Sequence, residues 1–277
     1  MTKTAFITLD AESFCETSCV KELNPELSGC PDCLDEIDEF LAFFDSENIK
    51  TTIFITEETL DKKKSTLLNA IKNGHEIGVH AEKHVSPQTL EKEELFRQLS
   101  GMRERIKSEL GYNAVSYRAP CFGINNDVLG VIKRCGFKRD SSALNYENAA
   151  RSGNLNLSDF EKINSVVYKS GDFYEFKPSV GDFMNMKMPL SGGGYLRLSP
   201  WNIVKKSLEK YVENENAYLF YVHPFEIYKG KFPKIKGLKF GDKIFINRGR
   251  KKYFYKIKEL VAALKNRGYE FKTIGGF

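Results

Sequence analysis

His75-Glu-Ile-Gly-Val-His80-Ala-Glu-Lys-His84 is the stretch on which the fold turns. Residues 75–80 read as a short buried strand, too brief for a helix. Behind them comes the clearest helix in the chain, with Leu95, Leu99, Met102, Ile106 and Leu110 on one face. Thr89 is its expected N-cap, Glu91, Glu93 and Glu94 suit its positive end, and Gly111 closes it. Ahead of the strand, Leu67, Leu68 and Ile71 precede Gly74, a residue suited to the C′ position of a helix. A strand between two helices is a fragment of βαβ order, and the rhythm extends both ways.

Toward the N-terminus, residues 5–9 and 51–55 read as strands. Between them Ile37, Phe40, Leu41 and Phe44 recur at helical spacing. Toward the C-terminus follow a strand at 114–117, a helix at 126–135 closed by Gly136, and a strand at 137–139. Residues 141–200 break the pattern. Segments 166–169 and 173–177 flank Ser170-Gly171-Asp172 as a hairpin, and Gly192-Gly193-Gly194 precedes an expected short strand. Alternation resumes with a helix at 202–211, a strand at 217–222, a helix at 257–264 and a strand at 270–274. This order predicts one parallel-stranded α/β domain over residues 1–277, as a barrel or a doubly wound sheet, with a cysteine-rich insert at 13–34.

The chain has 277 residues with 42 Lys+Arg against 37 Asp+Glu. No apolar run approaches the ~18 residues of a membrane span, and no signal-peptide core precedes Asp10. The expectation is a cytoplasmic protein with reduced cysteines. Its positive balance is local: residues 229–258 hold twelve Lys and Arg against one acidic residue, Asp242. That asymmetry argues against nucleic acid as the partner. It fits a solvated face, a phosphate-bearing substrate such as a nucleotide- or lipid-linked sugar, or peripheral contact with an anionic membrane. The oligomeric state is left open.

The chemistry is positional. Asp10 and Glu12 follow the first strand, and His80 ends the third with His84 four residues on. Arg118, Asp140 and His223 end the fourth, fifth and penultimate strands. All seven stand at the C-terminal ends of expected parallel strands, where α/β folds assemble active sites. Two histidines four apart, with one carboxylate from Asp10-Ala-Glu12, make a two-His, one-carboxylate metal set with open positions. The second carboxylate is then free to act as a base on water.

Ile7-Thr-Leu-Asp10-Ala-Glu12, Asn73-Gly-His-Glu-Ile-Gly-Val-His80-Ala-Glu-Lys-His84 and Tyr117-Arg118-Ala-Pro120-Cys-Phe122 resemble the first three motifs of the polysaccharide deacetylases. These are the NodB-homology enzymes of carbohydrate esterase family four. Gly136-Phe-Lys-Arg-Asp140-Ser-Ser142 and Phe220-Tyr-Val-His223-Pro224 resemble the fourth and fifth. The stretch Gly192 to Pro200 and the His-Pro-Phe-Glu segment resemble a cytoplasmic branch tied to surface-polysaccharide biosynthesis, through lipopolysaccharide or capsule. The resemblance implies a distorted (β/α) barrel and metal-dependent removal of an acetyl group from an N-acetylated sugar of a surface glycan or its precursor. By position it makes Asp10 the general base, Glu12, His80 and His84 the metal ligands, and His223 the general acid. Arg118 and Asp140 become a pair holding Asp10 in place. Zinc is the first choice of divalent metal, with cobalt, nickel and iron as alternatives. Two positions depart from the family: Glu12 where Asp is usual, and Ala81 where Ser or Thr is usual. Rival readings are a deformylase or other C–N amidohydrolase on the same barrel, and a non-catalytic glycan- or nucleic-acid-binding protein.

Cys15-x₃-Cys19-x₁₀-Cys30-x₂-Cys33 gathers four of the six cysteines directly after the first motif. In a reducing compartment this density suggests a second, structural zinc on the rim of the site, with disulfides or unligated thiols as alternatives. Cys121 and Cys135 read as ordinary small buried residues.

Overall fold

β1 (Lys3–Ala11) is buried at every residue beyond its first, as a strand covered on both faces must be. The structure, a computed structural model, describes residues 2–17, 20, 31–144, 153–183 and 186–277. β1 is followed by β2 (Thr52–Thr56), β3 (Glu76–Ala81), β4 (Ser116–Tyr117) and β5 (Arg139–Asp140). Next come β6 (Glu161–Lys162), β7 (Val167–Ser170) and β8 (Phe173–Phe176), then β9 (Val180–Phe183) and β10 (Met186–Pro189). β11 (Ala217–Val222) and β12 (Tyr269–Lys272) complete the set. The main sheet runs β11-β1-β2-β3-β4-β5-β8-β7-β6 and curls into a half-barrel; β12 pairs with Lys3–Phe6 of β1. Pairing is parallel from β11 to β8 and antiparallel through the β8-β7-β6 end.

Strand parity positions the chemistry. Side chains alternate across a sheet, so one parity faces the helices and the other the hollow of the half-barrel. Ala5, Ile7 and Leu9 of β1 join the large core under the helices, whereas Phe6 joins a second cluster with Phe54, Phe176 and Leu219. Asp10 shares the parity of Phe6. The same holds on β3, where Ile77 and Val79 face the helices and His80 takes the other side, and on β11, where Phe220 and Val222 precede His223. At Gly78 a Cβ would meet the Phe54 ring at 2.6 Å and the Ser116 carbonyl oxygen at 3.1 Å, so the hollow is filled by a neighbour's ring there.

Three local expectations are corrected. The long helix spans Lys92–Leu110 with Glu91, not Thr89, at its N-cap. Thr89 ends a separate 3-10 turn begun by Pro87, and its hydroxyl donates to Ser86 O at 2.8 Å. The triple glycine opens the helix Gly193–Leu198 rather than a strand. Gly192, at φ 115°, turns the chain against β11, where a Cβ would lie 1.8 Å from Tyr221 O. The last helix spans Arg250–Asn266, starting seven residues earlier than expected. Tyr253 and Ile257 share its buried face, but Arg250, Lys251 and Lys252 ahead of them mask the start. A further helix, Phe240–Asn247, precedes it.

Candidate active site

Each of the seven residues named from the strand ends lies beyond or at the C-terminal end of a parallel strand, and five of them meet. Glu12 Oε2 is 2.5 Å from His84 Nε2 and 3.5 Å from His80 Nε2. One ligand atom from each of the three lies within 4.8 Å of the other two, and all three residues are buried. His80 Nδ1 is 2.7 Å from Arg118 O. A carbonyl only accepts, so Nδ1 carries a proton and Nε2 is the nitrogen turned toward Glu12, the one a metal would take. Burial pushes the Glu12 carboxyl up, but the charge of His84 and hydrogen bonds from His80 and His84 outweigh it and hold it well below the carboxylate range. Burial pulls His84 down, and Glu12 raises it by more.

Asp10 is 1% exposed and is held from behind. Arg118, fully buried, donates Nη1 to Asp10 Oδ1 at 2.7 Å and to Thr8 Oγ1 at 2.7 Å. Its charge lies over the Phe54 ring, 4.5 Å from the centroid. The other carboxylate oxygen, Oδ2, lies 3.8 Å from His223 Nε2, which is also 3.9 Å from Glu12 Oε1. His223 Nδ1 faces Glu226 Oε2 at 3.0 Å, and Glu226 Oε1 accepts from Arg197 Nε at 3.1 Å. Burial pulls the His223 imidazole down, but the Glu226 hydrogen bond and the charges of Glu12, Glu226 and Asp10 push it up to about 9. The ring is therefore cationic at neutral pH.

Asp140 is placed differently from expectation. Arg118 forms no ion pair with it among the described residues, because Nε and Nη2 are taken by Ser141 O and Ser141 Oγ at 2.9 and 2.7 Å. Asp140 lies instead in register with Glu175 on β8, the two carboxyls influencing each other's protonation. Glu175 Oε1 accepts from the backbone N–H groups of Ser142 and Ala143, and Ser142 Oγ donates to Asp140 Oδ1. Burial pushes Asp140 up to about 6, and burial plus the Asp140 charge raises Glu175 well above the carboxylate range. A carboxyl raised by folding binds extra protons in the native state, so its stabilisation is full below about pH 4 and is lost as pH rises. Glu175→Gln keeps both acceptor and donor without titrating. Urea unfolding across pH is expected to show variant and wild type alike in acid, with the variant the more stable in base; a pH-independent difference would contradict the raised carboxyls.

The cysteine set also departs from expectation. Cys15 is disulfide-bonded, and Cys33 is a buried free thiol hydrogen-bonded to Pro31 O. Cys15 and Cys33 therefore do not join in one four-thiolate zinc site, because a disulfide sulfur is not a thiolate. Cys19 and Cys30 lie outside the described residues.

The five convergent residues open on a cavity of about 310 Å³. Its wall includes Thr17 of the insert, Phe122, and Asp242, Phe245 and Ile246 from the helix Phe240–Asn247. Cys121 and Phe122 hold φ of 56°, costly for residues with a Cβ, and this turns the Phe122 ring beneath Arg118 and against Tyr221. Sequence reading missed Glu226, Arg197, Glu175 and the Phe245 wall. Only Glu226 carried a local signal, as the fourth residue of His-Pro-Phe-Glu, where it closes a capping box on His223.

Residues 31–139 match the polysaccharide deacetylase family model, and residues 147–275 match a domain of unknown function, DUF3473. Chitin deacetylase 1 of Cryptococcus neoformans var. grubii is 22% identical over 199 residues, covering 63% of this chain and 42% of the relative. The chain thus spans under half the length of that curated protein. Among solved structures, the chitin deacetylase of Colletotrichum lindemuthianum superposes with a TM-score of 0.55 at 13% identity, covering 99% of this chain and 89% of its own. A CE4 family pseudoenzyme from Bacillus anthracis superposes at 0.54 with 10% identity, over 99% and 64%. These superpositions establish the fold alone. Residues 31–139 are thus similar to the polysaccharide deacetylases in sequence, and the chain shares the fold of solved CE4 deacetylases.

Proposed function

We propose that the chain is a metal-dependent sugar N-deacetylase acting on an acetamido sugar of a surface glycan or its precursor. One observation carries the reading: Glu12, His80 and His84 converge within 4.8 Å beside two further ionisable groups, Asp10 and His223, on one cavity. The donor set of two imidazoles and a carboxylate, with His80 Nε2 turned toward Glu12, suits zinc first, and cobalt, nickel or iron next. Bound there, the metal would polarise the acetyl carbonyl and acidify water.

The chain's own residues supply the rest. Asp10 accepts the proton of the attacking water on Oδ2, while Arg118 fixes the carboxylate through Oδ1. His223 carries a proton at Nε2 and delivers it to the amide nitrogen, because the amine leaves only when protonated. Water adds, the C–N bond breaks, and acetate and a free amino sugar result. Glu12 is excluded as the base by its orientation toward His80 and His84.

The test is acetate release by the purified chain from N-acetylglucosamine oligomers, with zinc, cobalt, nickel or iron supplied. Metal-dependent acetate, abolished together with metal binding in His84→Ala, supports the reading. Formate from formylated sugars alone would favour the deformylase. Sugar binding with no turnover under any metal would assign the chain to the non-catalytic members of the fold.

A further inference from the structure

Phe245 and Ile246 face the active-site cavity, and the next two residues, Asn247 and Arg248, line a second one of about 750 Å³. Eight Lys and Arg line this second cavity, and no acidic residue does. A solvated face ordinarily intersperses the two signs; a concave wall of one sign concentrates its field.

Three of these cations are not ordinary surface charges. Arg250 is 8% exposed, donates to the Tyr228 and Gly230 carbonyls at 2.7 and 3.0 Å, and has no carboxylate partner among the described residues. Lys256 Nζ is half-buried on the carbonyls of Leu196, Arg197 and Ser199. Burial, compounded by the Arg197 charge, pulls both below their ordinary values. Arg197 itself is spent on Glu226. At the rim Lys231, Arg248, Lys251 and Lys252 make no ion pair among the described residues.

The seventeen-residue helix Arg250–Asn266 begins on this cavity, with no acidic residue in its first turn and no side-chain cap. Lys and Arg at that end oppose the helix dipole, and a bound anion would satisfy both. The volume is that of a small-molecule site.

We propose that this cavity binds phosphate or diphosphate esters, seating the phosphorylated end of a sugar whose acetamido group enters the neighbouring pocket. The first half stands on the cavity alone; the second rests on the deacetylase reading. Calorimetry on the full chain at low salt, with inorganic pyrophosphate as probe, tests it. Binding is expected, weakened at least tenfold by Lys251→Glu with Lys252→Glu and unchanged by Asp10→Asn. Acidic residues suit the first turn of a helix, so the double variant should fold, which its melting temperature checks. No pyrophosphate binding by the wild type, or binding indifferent to the double substitution, overturns the site. Displacement by UDP-N-acetylglucosamine would identify a nucleotide-linked substrate, and displacement by a prenyl diphosphate-linked sugar in micelles a lipid-linked one. Displacement by neither, with binding to phosphatidylglycerol vesicles lost in the same variant, overturns the substrate site in favour of a membrane surface. Pyrophosphate bound without acetate release from any sugar would fail the deacetylase reading and leave the phosphate site standing.

Discussion

Asp10→Asn is expected to lower acetate release by about 10²–10⁴-fold, the usual contribution of a positioned base. The amide still accepts the Arg118 hydrogen bond at Oδ1, so the side chain keeps its place while losing its basicity. Metal content should hold at the wild-type value, because Glu12, His80 and His84 are untouched. Stability should fall. Arg118 is fully buried, and among the described residues its one direct carboxylate contact is Asp10. Removing one partner of such a pair costs up to about 3–5 kcal/mol, the retained hydrogen bond keeping this case toward the lower end. Parallel measurement of acetate, metal per chain and melting temperature separates the effects. Wild-type activity in a metal-loaded Asp10→Asn would remove Asp10 as the base, whatever its stability.

The frame of this site was legible because strands impose it. Once residues 5–9, 75–80 and 217–222 read as parallel strands, their C-terminal ends had to share one edge of a sheet. Parity then sent Asp10, His80 and His223 to the same side as Phe6 and Leu219. The metal-type cluster needs nothing more than this, since its members lie on or just past β1 and β3, separated in the sheet by β2.

What the sequence concealed is non-local. Asp140 could be placed at a strand end, but its neighbour there is β8, which returns from the irregular stretch after residue 141 and carries Glu175. No periodicity foretells that pairing, and Ser141 intercepts the guanidinium that Asp140 was expected to hold. Arg197 was similarly out of reach. Its helix was read as a strand, and its partners, Glu226 and the Phe245 and Arg248 carbonyls, lie 29 to 51 positions away. The charge asymmetry of the basic segment was legible, but not where its residues stand in the fold. Folding sorts it into an aromatic and apolar wall on the active-site side, through Phe245 and Ile246, and a cationic wall on the other.

Glu226→Gln tests how the acid is made. In the proposed reaction His223 is the general acid and must hold its proton at working pH; the Glu226 carboxylate is the largest influence raising it against burial. Glu226 is in turn held low by His223 and Arg197 in spite of complete burial. A glutamine has one acceptor oxygen and cannot serve both Arg197 Nε and His223 Nδ1. Without the carboxylate the imidazole should fall from about 9 toward its ordinary range. The sign follows directly: the active form is the protonated one, so the alkaline limb of kcat/KM moves to lower pH. The loss of activity should be roughly tenfold larger near pH 8 than near pH 6. Stability falls too, because Arg197, 1% exposed, is left with carbonyls as its remaining partners, a cost of about 3–5 kcal/mol. That loss has its own pH dependence. A histidine raised by folding adds stability that is full below its unfolded value and is lost as pH rises through about 9, so the variant should differ most from wild type in acid. A uniform loss of rate at every pH, with an unmoved alkaline limb, would mean that Glu226 merely props the helix Pro224–Ile227 and that His223 owes its proton to the carboxylates across the cavity.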